Sequence, residues 1–193
     1  AETYARRIGN AAMANTDGTY SSIDRTIRIR QKNENELNFR ILRHEMTHAL
    51  VHEHIGHLHT SINEGLAGYF ENMEVAGMGA RVLLDSARRR PDASMSVDGQ
   101  DELVDLLARE GAGFYGAGQE SRYGRSMALI ALLMERVEGR EALTRLLAAQ
   151  QLQPCQPVEP APVLAQTYPG GLEALARDWS KWLRIPADRV LSY

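Results

Sequence analysis

The stretch Arg43-His44-Glu45-Met46-Thr47-His48 constrains this chain more than any other, because it reads H-E-x-x-H inside a segment of helical periodicity. On an α-helix, residues four apart lie about 40° apart around the axis and about 6 Å along it, so His44 and His48 project from one face toward a common point. Two neutral imidazoles placed this way make half of a tetrahedral zinc site. Glu45 falls beside the pair rather than between them, where a carboxylate can take a proton from a water activated by the metal. The surrounding pattern predicts a helix capped near Asn33 or Asn35 and running to about Ile55. Leu37, Ile41, His44, His48 and Val51 form one stripe, and Leu42, Met46, Ala49 and Leu50 are expected to widen the buried surface, which would make this helix central.

A catalytic zinc site needs a third protein ligand. His52 continues the same face but lies about 12 Å along the axis from His44, too far for the three histidines to share one ion. Downstream, Ser61-Ile62-Asn63-Glu64-Gly65-Leu66-Ala67-Gly68-Tyr69-Phe70-Glu71 begins a second helical segment after a break at Gly56, and Glu64 lies in its first turn. The first helix rises about 10 Å from His48 to Ile55, and the residues from Gly56 to Thr60 span up to roughly 17 Å, so a reversal returning Glu64 to the histidines is feasible. Two readings of Glu64 compete. Ser61-x-x-Glu64 is also the pattern of a capping box, in which the glutamate merely accepts a backbone N–H bond; proximity to H-E-x-x-H favours the ligand.

In these residues the chain resembles the gluzincin zinc metallopeptidases of the broad peptidase MA-like group, in which H-E-x-x-H is followed by a glutamate in an N-E-G-L-A-x-Y-F-E setting. The resemblance covers about residues 40–75, with a weaker likeness through Tyr123-Gly124-Arg125-Ser126 to the helix of Trp179 and Trp182. It implies His44, His48 and Glu64 as ligands of one zinc ion and Glu45 as the general base. It also implies Tyr123 as a hydroxyl donor to the oxyanion, with Tyr115 as the fallback. Two features depart from the family pattern. The position four after the ligand glutamate, often an acid that orients a histidine, is Gly68, leaving Glu71 as a weak substitute; and the Pro and Trp that often precede N-E-G are absent.

Elsewhere the chain is read from pattern. Residues 2 to 13 predict a short amphipathic helix, and Asn15 to Gly18 a turn. Thr19 to Arg30 predicts a hairpin turning near Asp24-Arg25, whose edge beside the active-site helix is the candidate for pairing with an extended peptide, as the family likeness implies. His52, His54, His57 and His59 read as solvated loop histidines. The second helix is expected to end at Gly77 and Gly79, with further helices over 80–90, from about Asp98 to Glu110, from near Glu120, beyond Gly139, and from about Gly171 to Leu183. Pro154, Pro157, Pro160 and Pro162 predict an irregular link. Trp179 and Trp182 read as packing anchors.

With 193 residues, 44% of them apolar, one domain over 1–193 is expected: an α/β part to about residue 43, then the active-site helix and a helical part. The predicted class is α+β and zincin-like, with a small N-terminal β element beside the active-site helix and a mostly helical bundle after it. A formal net charge of −3 gives no footprint for nucleic acid, and no run approaches the apolar length of a membrane span. The single cysteine, Cys155, excludes an intramolecular disulfide framework. A start at Ala1 without a hydrophobic leader suits a mature or excised chain, and with the family likeness sets the expectation of a secreted or periplasmic location. The expected function is zinc-dependent hydrolysis of peptide or protein substrates. Its rivals are a noncatalytic zinc-binding or protein-binding module and a zinc hydrolase of non-peptide or cell-wall linkages.

Overall fold

The computed structural model describes residues 16–84, 99–185 and 189–193. The expected helix at 2–13 lies outside them, as do residues 85–98 of the expected 80–90 helix and the loop that follows it. The fold is α+β. A hairpin of β1 (Gly18–Ser21) and β2 (Thr26–Ile29) precedes the long helix α1 (Asn35–His54) and α2 (Thr60–Glu71). A second hairpin, β3 (Met73–Ala76) and β4 (Gly79–Leu84), leads to α3 (Gln100–Ala108) and the single turn α4 (Ala112–Tyr115). Then come α5 (Gln119–Glu135), α6 (Val137–Leu152), α7 (Pro160–Thr167), α8 (Gly171–Leu183) and the closing strand β5 (Arg189–Ser192).

The first hairpin pairs Gly18 with Ile29 and Ser21 with Thr26, so its turn spans residues 22–25, with Arg25 at φ 50°. Helix α1 begins after Glu34, without a side-chain cap; neither Asn33 nor Asn35 serves as one. Asn38 instead returns its side-chain amide to both the N–H and the carbonyl of Lys32, at 2.8 and 2.9 Å, fixing the approach of the chain.

Two expectations about packing are corrected. Helix α1 is not the central helix: Met46 is 45% and Leu50 55% exposed, and only Glu45, Thr47 and Val51 of its residues are buried. Among the described residues it packs mainly on α2 and the first hairpin. The centre belongs to α5, buried continuously from Ser126 to Leu133. Around it lie Ile62, Leu66 and Tyr69 of α2, Leu103, Leu106 and Leu107 of α3, and Leu175, Trp179 and Leu183 of α8. Gly65 makes the closeness of α2 and α5 possible, since a Cβ there would fall 2.7 Å from both Ile130 Cγ1 and the Ser126 carbonyl oxygen.

The second helix ends at Glu71, short of the expected Gly77, and 79–84 is strand rather than helix. Gly77, at φ +62°, makes the turn between β3 and β4, and β4 then pairs antiparallel with β5 from the far end of the chain. The side chains of Val82 and Leu84 alternate into the core. The proline link is shorter than expected. Pro160 and Pro162 lie in the first turn of α7, where the absent N–H would have no intrahelical partner. Trp179 and Trp182 are buried, as anchors should be, and Cys155 is exposed.

Candidate metal centre

The two-helix reversal returns Glu64 to the histidines. His44, His48 and Glu64 offer ligand atoms that lie within 4.8 Å of one another. Glu64 Oε2 stands 3.4 Å from His44 Nε2 and 3.5 Å from His48 Nε2. These separations test whether a metal fits. Two ligands at zinc bond lengths near 2.05 Å and a tetrahedral angle are about 3.3 Å apart, close to the two separations of Glu64 from the histidines. Glu64 Oε2 is also buried with no hydrogen-bond partner of good geometry, a costly state for a carboxylate oxygen unless a cation meets it. The donor set, two imidazole nitrogens and one carboxylate, suits zinc.

The capping-box reading of Glu64 is not met. Its carboxylate faces the histidines, and α2 has no side-chain cap from its own residues. That role belongs to Glu110, fifty residues on: Oε2 accepts the Thr60 backbone N–H at 2.8 Å and Oε1 the Thr60 hydroxyl at 2.7 Å. His59, expected to be solvated, is 2% exposed, sits 3.3 Å from Glu110 and bonds Ser61 at 3.0 Å; burial pushes its pKa down. His54 and His57 are exposed. His52 is no ligand; its Nδ1 meets the Tyr20 hydroxyl at 3.2 Å and so ties β1 to α1.

Each of the two histidines has a polar partner on its other ring nitrogen. His44 Nδ1 lies 3.3 Å from Glu71 Oε2, so the substitute acid expected in place of Gly68 is in position. Glu71 is held in turn by Arg40 at 2.9 Å, and Arg43 Nε donates to its carbonyl. His48 Nδ1 lies 3.1 Å from Asn63 Oδ1. With Nε2 turned to a metal, both Nδ1–H groups donate. Asn63 was missed in the sequence, where it stands merely as the neighbour of Glu64; the 3.6-residue period of α2 puts the two side chains on adjacent faces.

Electrostatics follow from burial. In the metal-free site burial opposes charge on His44, but the Glu64 and Glu71 carboxylates beside its two ring nitrogens outweigh it and raise the pKa to about 10. Burial pushes the pKa of Glu64 up, yet His44 and His48 beside it hold its carboxyl well below the usual range. Glu45 is 6% exposed, and burial raises its pKa against the opposing pull of His44 and His48. It also accepts a bond from the Tyr20 backbone N–H. Strand β1 nests closely here, for a Cβ on Gly18 would fall 2.7 Å from Glu45 Oε1.

Both tyrosines named from the sequence border the site. The Tyr123 ring centre is 6.4 Å from that of His44, and burial followed by the charges of Glu64 and Glu45 raises its pKa. Tyr115 donates its hydroxyl to Glu64 Oε1 at 2.6 Å. Among the described residues no helix is long and apolar enough to cross a membrane. Comparison of the chain with protein-family models, with curated proteins and with solved structures found no match.

Proposed function

We propose that this protein is a zinc-dependent peptidase of gluzincin type, its zincin-like site formed by the first hairpin, α1, α2 and α5. The observation that carries the reading is the placement of Glu45: a buried carboxylate beside the His44, His48 and Glu64 cluster, which a purely structural metal site would not require.

His44, His48 and Glu64 hold one zinc ion, with Glu71 and Asn63 setting the two imidazole planes. When bound, the metal supplies Lewis acidity toward the scissile carbonyl and the attacking water. Glu45 takes the water's proton on its carboxylate and delivers it to the leaving amine. Tyr123, kept protonated by burial and by the neighbouring carboxylates, donates its hydroxyl to the developing oxyanion. Tyr115 is less suited to that task because its proton is already committed to Glu64. The hairpin edge at β1, close to Glu45, is where an extended substrate backbone pairs.

The test combines zinc stoichiometry with cleavage of a diverse peptide library by wild type and Glu45→Gln. One zinc per chain is expected in both, with hydrolysis by the variant lower by on the order of 10²–10⁴. A zinc-loaded wild type that cleaves nothing in the library overturns the peptidase reading, and a Glu45→Gln variant as fast as wild type overturns the role of Glu45.

A further inference from the structure

The two oxygens of Glu64 have different surroundings. Oε2 faces His44 and His48 at 3.4 and 3.5 Å, whereas Oε1 accepts the Tyr115 hydroxyl at 2.6 Å, a length typical of a strong bond to a carboxylate. Tyr115 occurs on a glycine-rich stretch, with Gly111, Gly113, Gly116 and Gly118 around it. Composition alone would make that stretch a mobile border. The structure fastens it at three points. Upstream, Glu110 grips Thr60 at the start of α2, and the Gly111 N–H returns a bond to Thr60 Oγ1 at 3.1 Å. Next to Tyr115, Phe114 is fully buried, its ring 5.5 Å from that of Tyr123. Downstream, the Arg122 guanidinium donates to the Phe114 carbonyl at 2.6 Å and to the Gly116 carbonyl at 2.9 Å, clamping the backbone on both sides of Tyr115.

We infer that Tyr115 is a positioning residue that occupies Oε1 of Glu64 and so makes this glutamate a one-oxygen ligand through Oε2. The inference rests on the zinc reading of the site. Its consequence is chemical. A carboxylate has two oxygens able to bind the same cation, and if both do so, one more coordination position is filled. By donating its hydroxyl to Oε1 from a clamped stretch of chain, Tyr115 stops the carboxylate from rotating its second oxygen inward. A position then remains open for water or substrate, as a catalytic site needs and a closed structural site does not. Tyr115→Phe keeps the ring, which stands 5.5 Å from Phe114 and 6.4 Å from Tyr123, so removing the hydroxyl alone leaves the wall of the site in place.

Cobalt(II), which replaces zinc and reports coordination number through its visible absorption, is the probe. Wild type, Tyr115→Phe and Tyr123→Phe are each titrated with cobalt(II), and zinc affinity is measured by competition with a chelator. Wild type is expected to show the intense bands of a four-coordinate ion. In Tyr115→Phe the bands should weaken and shift toward those of a five-coordinate ion, with zinc affinity about tenfold lower; Tyr123→Phe should keep the wild-type spectrum. An unchanged spectrum in Tyr115→Phe overturns the inference while leaving the metal site standing, as does an equal change in both variants, which would reflect general polarity. If wild type binds neither metal, the inference and the zinc reading fall together.

Discussion

Glu71 Oε2 lies 3.3 Å from His44 Nδ1 while its other oxygen accepts a bond from Arg40 at 2.9 Å, so a carboxylate seven residues beyond Glu64 orients the first histidine of H-E-x-x-H. Seven residues are nearly two full helical turns, which puts Glu64 and Glu71 on one face of α2. Replacing Glu71 by Ala is expected to lower zinc affinity about 10–100-fold, with Glu71→Gln losing less because its amide oxygen still accepts the Nδ1 proton. Competition with a chromophoric chelator reads both. Equal affinities in wild type and Glu71→Ala would remove Glu71 from the site.

The ligand set is tested by contrast. Glu64→Ala should abolish tight zinc binding, and His52→Ala should leave it within about twofold of wild type, since His52 serves Tyr20 rather than the cluster. Isothermal titration distinguishes the two. Retention of full affinity in Glu64→Ala, or loss of it in His52→Ala, would refute the assignment.

Metal binding and metal-free stability should respond to pH in opposite ways. The folded pKa of His44, about 10, lies above its ordinary 6.5, so its contribution to metal-free stability is complete below pH 6.5 and is lost as pH rises toward 10. A metal takes only the neutral imidazole, so each ion bound displaces that proton, and apparent affinity should rise about tenfold per pH unit between roughly 7 and 9. Thermal unfolding with zinc and with a chelator, repeated across that range, should show Tm falling without metal and the metal-induced increase growing. An increase independent of pH would mean that His44 is already neutral before metal arrives.

Two glycines of α2 should behave differently. A Cβ at Gly65 collides with α5 at 2.7 Å, whereas one at Gly68 meets Met127 Cβ at 3.4 Å, near ordinary contact. Gly65→Ala is therefore expected to destabilise by about 1–3 kcal/mol through overpacking. Gly68→Ala should be neutral or stabilising by up to about 1 kcal/mol, the helix propensity gained. Urea unfolding midpoints decide, and equal destabilisation by both would refute the packing account.

Part of this protein could be read from local rules. The helical period alone places His44 and His48 on one face and sets Glu45 beside them, and the same period with its flanking glycines outlines α8 from Gly171 to Leu183. The alternation of apolar and polar residues over Thr26 to Arg30 likewise placed the first hairpin, turning near Asp24-Arg25. What local pattern could not decide depended on partners distant in sequence. Residues 79–84 carry enough apolar character for either helix or strand, and β4 forms where β5 arrives to pair with it. Met46 and Leu50 look like core residues on a helical wheel, yet both are about half exposed on α1. The bond from Tyr115 to Glu64, the cap from Glu110 to Thr60 and the crossing of α5 over Gly65 each join residues fifty or more positions apart. Sequence periodicity determines which way a side chain leaves its own helix; which helix stands opposite is determined by burying the apolar faces of all of them at once, and only the tertiary structure carries that outcome.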